Sequence, residues 1–266
     1  MPAKKTSKTA ESSQPITRLQ EFFVGLEIAG TSDLIQSAFS QKTIEEMLRK
    51  HMGFAVHKEP KKPRDLIERA IIRNVEGAVC IPPMAIKKAM LTASLPIKSL
   101  KKTQLRPQLR VEGNSLPITY DEMIPRMDMV RLAGVSRTPD VRFRPMFTGW
   151  KARMIISFDE SLQIETVIDL LNRAGKVGVG EWRPERDGTF GTYKVVRNIK
   201  DEKELEEVRT ICGPALEPIR IPEWAMDQAL SPDIMKKIAA SEEIHGQEDA
   251  DKKGDQTDTT ADRKSA

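Results

Sequence analysis

The chain contains few of the residues on which metal sites, disulfide scaffolds and membrane segments depend. It has two cysteines, three histidines and 5% aromatic residues in a total of 266. Cys80 and Cys212 show no C-x-x-C spacing, which argues against a zinc ribbon or a disulfide framework and fits a reducing cytoplasm. No apolar run approaches the roughly 20 residues that a membrane-spanning helix needs, so we expect no membrane partner.

Catalytic and nucleotide-binding motifs are equally scarce. The sequence has no G-x-x-x-x-G-K-[ST] loop, and Gly178-Val179-Gly180 lacks the third glycine of the dinucleotide fingerprint. No spacing indicates a Ser/His/Asp or Cys/His arrangement, and His51 lies on the apolar face of a predicted helix, where a packed histidine is the usual case. We therefore expect no cofactor, no metal and no confident catalytic residue. Asp33, in the loop after the first strand, is retained as the one candidate acid.

The charge of the chain is distributed unevenly. From Met84 to Arg153 there are 14 Lys and Arg against 5 Asp and Glu, whereas from Ser241 to Ala266 there are 4 against 8. A basic middle segment indicates a polyanionic partner, because clustered cations attract one. The acidic end either competes for that basic surface or only keeps the chain soluble.

Hydrophobic periodicity predicts alternating strands and helices. Val24, Leu26 and Ile28 alternate as in a strand, and segments 98–111 and 129–145 show no periodicity and are predicted to be loops. Helical patterns cover residues 42–53, 63–74, 86–93, 161–175, 201–213 and 231–241, and further strands end at Ile81 or cover 147–160 and 192–196. The order strand, helix, strand, long insertion, strand, helix, strand predicts an α+β fold with a ferredoxin-like βαββαβ core and inserted basic loops.

Local signals predict where two of these helices begin and end. Thr43 and Glu46 have the spacing of a capping box for the 42–53 helix. Ser161 is predicted to cap the 161–175 helix and Gly175 to end it.

Composition divides the chain into four parts. Residues 1–15 are predicted to be a disordered basic leader, and residues 246–266 a disordered acidic tail. Between them we expect a folded core at 16–225, with an insertion at about 96–145, and a short helical extension at 226–245.

The segment from Gly175 to Val195 carries the most distinctive local pattern. Four further glycines punctuate it, at Gly178, Gly180, Gly188 and Gly191. Glycines allow backbone amides to approach an anion closely, Trp182 offers a stacking face, and Arg183 and Arg186 offer positive charge. This combination is typical of contact with a single nucleic-acid strand, and the alternative is a glycine-rich hairpin without a ligand.

Two basic segments add to this pattern. The first contains Lys98, Lys101, Lys102, Arg106 and Arg110, and the second contains Arg126, Arg131, Arg137, Arg142 and Arg144. Interleaved Leu, Met and Pro side chains suit insertion between bases. For either segment alone, a solvated charged surface is the favoured interpretation. Three basic or glycine-rich segments around one small sheet favour nucleic acid.

Three sequence segments together resemble the RAMP superfamily of CRISPR effector proteins, in particular its backbone subunits. They are "LEIAGTSD", "VCIPPMAIKKAM" and "GKVGVGEWRPERDGTFGTYKV", and the resemblance covers roughly Thr17 to Arg197. The turn Pro82-Pro83-Met84 and the block "EWRPERDG" depart from the usual pattern. These departures make the chain look more similar to stand-alone relatives from phages and prophages than to a CRISPR subunit.

The resemblance implies an RRM-like core, a groove for guide RNA and side-by-side stacking into a filament. It implies that Lys87 and Lys88 face backbone phosphates, that the glycine-rich segment lies along the strand, and that the insertion at 131–144 forms a thumb-like element. Relatives that cleave target RNA use an acid in the loop after the first strand, and Asp33 lies there.

These observations lead to three hypotheses about function. The first is a non-enzymatic single-stranded nucleic-acid-binding protein, with RNA favoured over DNA, that forms a homo-oligomer or filament along the strand. Other effector or phage proteins are further possible partners. The second hypothesis is a metal-dependent ribonuclease of the same fold that uses Asp33. The third is a structural or regulatory module that binds proteins through the Arg-rich insertion.

Overall fold

The computed structural model describes residues 20–54, 60–131 and 138–226, together with Lys236. The chain divides into two compact units built from separated segments. The first unit comprises Met1–Ile35, Arg73–Ile124 and Met146–Leu216, and the second comprises Gln36–Ile72, Pro125–Pro145 and Glu217–Ala266. The predicted leader, acidic tail and helix at 231–241 lie outside the described residues, apart from Lys236.

The described part of the chain forms strands and helices in the following order. The strands are β1 (Glu21–Gly30), β2 (Leu34–Ile35), β3 (Cys80–Ile81), β4 (Leu109–Val111), β5 (Leu116–Thr119), β6 (Glu122–Arg131), β7 (Pro139–Thr148), β8 (Lys151–Asp159) and β9 (Tyr193–Ile199). The helices are α1 (Gln41–His51), α2 (Pro63–Ala70), α3 (Pro83–Ala93), α4 (Lys102–Gln108), α5 (Ile164–Val177), α6 (Glu202–Cys212) and α7 (Glu223–Met226). None of these helices has the length and apolarity that crossing a membrane requires.

The first unit is organised around a six-stranded antiparallel sheet. Its order is β3-β5-β8-β1-β9, and β4 also pairs with β8. The register of β1 against β8 runs from Glu21↔Asp159 to Ala29↔Lys151 without a shift. With α3 preceding β4 and β5, and α5 between β8 and β9, this order is that of a ferredoxin-like βαββαβ unit. The predicted α+β class is therefore confirmed.

The two faces of this sheet are covered by different helices. Because side chains alternate along a strand, Leu26, Ile28 and Met154 point to one face, where they are fully buried on the side of α3 and α5. Burying each such side chain contributes about 1.5–3 kcal/mol. The other face is covered by α6, whose Leu205 side chain occupies the space that a β-carbon at Gly25 would need.

The turn after β1 is fixed to the sheet by a tryptophan. Trp150 is the largest fully buried side chain, and its indole ring lies where a β-carbon at Gly30 would stand, so only glycine fits there. The indole N–H donates to the Ser32 carbonyl at 2.8 Å, and the Tyr193 ring meets the indole edge-on at 6.0 Å between centroids. The conformation of residues 30–32 is thus determined by packing as well as by hydrogen bonding.

The second unit contains α1, α2 and α7. No residue of α1 is fully buried, and His51 is exposed, so the prediction of a packed core histidine at this position is wrong. The Trp224 ring meets Phe54 edge-on at 6.3 Å, and the Arg49 guanidinium lies 4.3 Å from the centroid of the same ring. Aromatic and cation–π contacts therefore connect the end of α1 with α7.

The segments predicted to be loops contain regular structure. Residues 98–111 include α4 and β4, and residues 129–145 include the end of β6 and much of β7. These strands were hidden because their exposed positions carry charged residues and methionines rather than an alternation of polar and apolar side chains. Met129, for example, is 80% exposed although it lies within a ten-residue strand.

The start of α1 differs from the prediction. Ser40 is the N-cap, and its hydroxyl accepts a hydrogen bond from the Thr43 amide at 3.3 Å. The capping-box interpretation of Thr43 and Glu46 is therefore wrong, since the helix begins before Thr43. Gly53, with φ of +80°, follows the end of this helix.

The ends of α5 also differ from the prediction. The N-cap is Gln163, which makes no side-chain capping bond, while Ser161 instead bonds to Asp159. At the other end the helix passes through Gly175 and ends at Gly178, whose φ is +80°. Gly175 is buried within the helix, and only glycine fits there because a β-carbon would overlap the Tyr193 carbonyl. It is therefore a packing residue rather than a helix terminator.

Candidate nucleic-acid interface

The three sequence segments that carry the family resemblance come together in the first unit. The turn after β1 and the glycine-rich segment are joined by backbone hydrogen bonds of 2.8–2.9 Å, from Thr31 to Thr192, from Gly191 to Asp33 and from Glu181 to Ile35. Hydroxyl contacts of 2.8 Å join Thr192 to Thr31 and Ser32. The hydroxyl of Thr92 on α3 contacts the carboxylate of Glu185 in the glycine-rich segment at 3.3 Å. Segments far apart in sequence thus form one continuous surface.

The glycines of this segment allow the chain to pack closely on itself. A β-carbon at Gly188 would overlap the Trp182 carbonyl, and one at Gly191, where φ is +69°, would overlap the Val179 carbonyl. Many amides in the segment donate within the first unit, namely those of Gly178, Val179, Glu181, Arg186, Asp187, Gly188, Phe190 and Gly191. These amides already have acceptors, so an anion at this segment would be held mainly by side chains.

Glu185 connects the glycine-rich segment to α3. Its carboxylate accepts hydrogen bonds from the Arg183 guanidinium at 2.8 Å and from the Thr92 hydroxyl at 3.3 Å. Burial favours the neutral carboxyl, but the hydrogen bond and charge of Arg183, with smaller contributions from Thr92 and Lys88, hold the pKa of Glu185 below its ordinary value. Glu185 is therefore ionised at neutral pH and fixes the segment against the helix.

The predicted ligand-binding residues of the segment differ in their availability. Arg183 also donates to the Gly180 carbonyl at 2.8 Å, so its guanidinium is engaged within the segment. Arg186 is exposed, and no ion pair to it is found in the described ranges. Trp182 is 38% exposed and has a φ of +52°, a conformation that L-residues adopt only under constraint. The ring of Trp182 and the charge of Arg186 are thus the accessible groups here.

A cleft of about 690 Å³ opens beside α3 in the first unit. Four cationic residues line it, Lys87, Lys88, Arg106 and Arg110. Its remaining lining is mainly apolar and comes from Pro82, Pro83, Met84, Leu91, Val111 and Leu216, with Gly113 and Asn114 at one side. The beginning of α3, the end of α4 and β4 therefore bring residues from both the proline–lysine segment and the first basic segment to one cavity.

The lining of the cleft is positively charged. Within the part of the chain that the structure describes, no Asp or Glu lines the cleft and none of its four cations forms an ion pair. Glu185, outside the lining, lies close enough to Lys88 to be stabilised by its charge. Lys87 is half-buried, whereas Lys88, Arg106 and Arg110 are exposed. Like charges held together repel one another, and an anion in the cleft relieves that repulsion. The cavity therefore suits an anionic ligand that also has an apolar part.

The remaining predicted cations of the first basic segment lie outside this lining. Lys101 is the N-cap of α4 and is exposed. Lys102 is the first residue of the helix and is half-buried. Arg106, one turn further along α4, is the residue of this helix that reaches the cleft. The structure thus separates the first basic segment into a cleft-lining end and a more distant beginning.

The predicted arginines of the second basic segment lie in the second unit. Arg142 forms an ion pair with Asp140 at 3.3 Å, and Arg144, with only 11% of its side chain exposed, faces Asp128 at 3.6 Å. Asp128 also accepts a hydrogen bond from Arg126 at 2.7 Å. These arginines belong to ion pairs of the β6 and β7 strands. Arg131 is exposed at the end of β6, and Arg137 lies outside the described residues.

Asp33, the candidate catalytic acid, lies in the turn that packs against the glycine-rich segment. Its backbone carbonyl accepts the bond from Gly191. Across the ranges 20–54, 60–131 and 138–226, no three His, Cys, Asp or Glu residues come close enough together to hold a metal ion. Cys80 is fully buried, and burial raises the pKa of its thiol, which agrees with the inert apolar environment of its strand. The ribonuclease hypothesis therefore still depends on Asp33 alone.

The apolar lining of the cleft was not predicted from the sequence. Val111 and Leu216 are more than 100 positions apart, and β4, which carries Val111, was hidden in a segment without periodicity. Arg110 was grouped with the basic segment but not selected as a binding residue. The short alternation of Leu109, Arg110 and Val111 was the available signal, since it has the period of a strand with one charged exposed position.

Comparison with known proteins gives a limited result. No protein-family profile and no curated protein matches the chain. Among solved structures, one similar chain comes from the "Cryo-EM structure of the Type III-B Cmr-beta bound to cognate target RNA", with 12% identity and a TM-score of 0.38. The alignment covers 67% of this chain and 60% of that one. This chain therefore spans about three fifths of the length of that neighbour.

Proposed function

We propose that the first unit binds single-stranded nucleic acid in the cleft beside α3. The observation that carries the proposal is the set of four cleft cations, Lys87, Lys88, Arg106 and Arg110, with no carboxylate among the lining residues that the structure describes. Phosphates supply the negative charge that this cavity lacks, and its apolar floor suits a sugar or a base. A duplex offers its bases less readily, because they are stacked and paired in its interior.

The surface around the cleft supports a path for the strand. Lys88 lies on α3 near Glu185, which holds the glycine-rich segment against the same helix. The accessible Trp182 and Arg186 of that segment therefore belong to the same unit as the cleft and offer a stacking face and a further cation. We infer that the strand contacts side chains of the glycine-rich segment and that its phosphates occupy the cleft.

Two finer features are part of the proposal. RNA is favoured over DNA, and copies of the protein are expected to assemble side by side along the strand, with other effector or phage proteins as further partners. Both follow from the resemblance of the three sequence segments to backbone subunits of the RAMP superfamily. Lys101 and Lys102, at the start of the helix that carries Arg106, are retained as secondary contacts.

The decisive experiment is size-exclusion chromatography of the full chain purified without nuclease, with absorbance recorded at 260 and 280 nm. A large species that carries nucleic acid and becomes smaller after RNase or after DNase would support strand binding and would identify the polymer. Binding of fluorescent 20-residue oligouridylate and oligothymidylate, measured by anisotropy at low salt, provides the second measurement. A protein that elutes free of nucleic acid and binds neither oligomer would contradict the proposal.

A second candidate function is protein binding through β6. Met127 and Met129 are 68% and 80% exposed on this strand, and methionine is common at adaptable protein-binding surfaces. This alternative predicts a partner that remains bound after nuclease treatment and at high salt, where phosphate contacts weaken steeply. Pull-down of the full chain under both conditions separates it from the first proposal.

A further inference from the structure

The sheet of the first unit has one face that α6 covers only in part. In the row where Glu27 pairs with Arg153, the helix contributes Glu204, which lies 3.6 Å from Arg153. In the row of Gly25, it contributes Leu205. The next row towards the start of β1 contains Phe23, which is 48% exposed. An aromatic ring thus lies on the sheet surface beyond the cover that α6 provides.

The strand registers place three residues in this exposed row. Phe23 of β1 pairs with Ser157 of β8, and Ser157 pairs with Arg110 of β4. Directly paired residues point to the same face, so Arg110 and Phe23 lie on one surface about two strand spacings, or roughly 10 Å, apart. Arg110 also lines the cleft beside α3. The row therefore continues the cationic cavity across the edge of the sheet.

The neighbours of Phe23 have the chemistry of a nucleotide site. The Arg209 guanidinium of α6 lies 5.9 Å from the centroid of the Phe23 ring. Arg209 also forms a solvent-exposed ion pair with Glu206 at 3.2 Å. The Ser157 hydroxyl is buried and has no hydrogen-bond partner in the described structure. An aromatic ring and two guanidiniums are thus exposed on this face, with the buried Ser157 between Phe23 and Arg110 in the same row.

The direction of the strand follows from the surrounding charges. The row beyond Phe23 pairs the acids Glu21 and Asp159, which repel phosphates. The phosphates are therefore expected on the side of Arg110, with a base above the Phe23 ring.

We propose that Phe23 is a stacking site for an unpaired base of the strand whose phosphates occupy the cleft. This inference rests on the proposed function, because it assumes that the cleft binds a single strand. Base–aromatic stacking does not depend strongly on which base is present. The site is therefore expected to distinguish a base-containing strand from an abasic one, but not one base from another. Arg110 connects the two sites, and Arg209 remains paired with Glu206 beside the Phe23 ring.

The experiment compares binding of two 20-residue oligomers by anisotropy. One is oligouridylate or oligothymidylate, whichever the wild-type protein binds, and the other is its abasic counterpart with the same phosphates. The full-length variants are Phe23→Leu, Phe23→Trp and Phe22→Leu. Phe22 is the matched control, because it is equally exposed but points to the opposite face, where its ring stacks on Phe158 at 6.0 Å.

We expect Phe23→Leu to weaken binding of the base-containing oligomer at least about fivefold and to leave the abasic oligomer unaffected. Phe23→Trp should retain the preference for bases, and Phe22→Leu should behave as wild type. If Phe23→Leu binds each oligomer with the same affinity as the wild-type protein does, the inference is overturned and the proposed function stands. An equal loss in Phe22→Leu would also overturn it, since the effect would then be structural. A wild-type protein that binds neither oligomer overturns both proposals.

Discussion

At the level of single residues, an arginine that already has a carboxylate partner is a poorer phosphate ligand than one that has none. Arg142, Arg144 and Arg183 each face an acid of their own unit. A phosphate would have to displace that acid, and the displaced carboxylate would then repel the phosphate. Arg106 and Lys87 face no acid in the cleft. Ion pairing therefore separates the predicted cations into structural residues and candidate ligands.

This distinction predicts the effect of neutralising individual cations. Arg106→Gln and Lys87→Gln should each weaken binding of a single-stranded oligomer about fivefold, or about 1 kcal/mol, because each removes one charge-assisted contact. Arg173→Gln is the matched control, since Arg173 is exposed on α5 and paired with Asp169 at 2.7 Å. Anisotropy titrations at fixed salt provide the measurement. If Arg173→Gln weakens binding as much as the cleft variants, only the overall charge of the chain matters.

Glu185 leads to a residue-scale prediction about stability and pH. Its pKa is lowered in the folded protein, so its contribution to stability is present above the unfolded carboxyl value of 4.5 and is lost as the pH falls through the lower folded value. Glu185→Gln should therefore destabilise the protein by about 1 kcal/mol at pH 7, as expected for a hydrogen-bonded and partly exposed carboxylate. The difference from wild type should shrink as the pH falls below 4.5. Urea unfolding at several pH values tests this, and a pH-independent difference would contradict it.

At the level of structural elements, the glycine-rich segment has a folded conformation that tolerates no side chain at certain positions. Gly191→Ala should lower the free energy of unfolding by at least about 2 kcal/mol, because it combines a φ of +69° with overlap on the Val179 carbonyl. Gly77→Ala is the control, since Gly77 has a φ of +83° but no atom within 4 Å of an added β-carbon. It should cost only about 1 kcal/mol. Equal urea midpoints for the two variants would contradict the prediction, because they would show that the protein relieves the overlap at position 191.

The helices and strands could be predicted from the sequence where their pattern is amphipathic. In α5 the stripe containing Val167 and Leu171 is buried as its spacing indicates, and β1 alternates as predicted. In β6 and β7 the pattern failed, because exposed strand positions carry arginines and methionines that resemble a loop. The helix starts failed for a related reason. The helices begin after Ser40 and after Gln163, and the local composition does not determine these starting points.

At the level of the whole molecule, the sequence indicated an anionic partner but not the cavity that would receive it. Lys87 and Lys88 were identified from one segment and Arg106 from another, yet nothing in their spacing shows that they face one cleft. That proximity arises because β4 pairs with β8 while α3 packs against β4. Leu216 joins them from beyond α6. Long-range pairing of this kind follows from the fold and has no signal in a single sequence.

The number of cations that contact the strand can be measured for the whole protein through its salt dependence. The logarithm of the binding constant for a single strand falls with the logarithm of salt concentration by about 0.7 for each phosphate that is neutralised. Contacts from the four cleft cations alone therefore predict a slope of about −3. Removing Arg106 should make the slope shallower by about 0.7.

The same titration tests whether the arginines of the second unit also contact the strand. If they left their carboxylate partners for phosphates, the slope would be much steeper than about −3 and would become shallower in Arg142→Gln. Because Arg142 is paired with Asp140, we expect that variant to retain the wild-type slope. A slope near zero would mean that no phosphate is neutralised, and it would remove the physical basis for strand binding in the cleft. A slope of about −3 that only cleft variants change would assign the electrostatic contacts to the first unit.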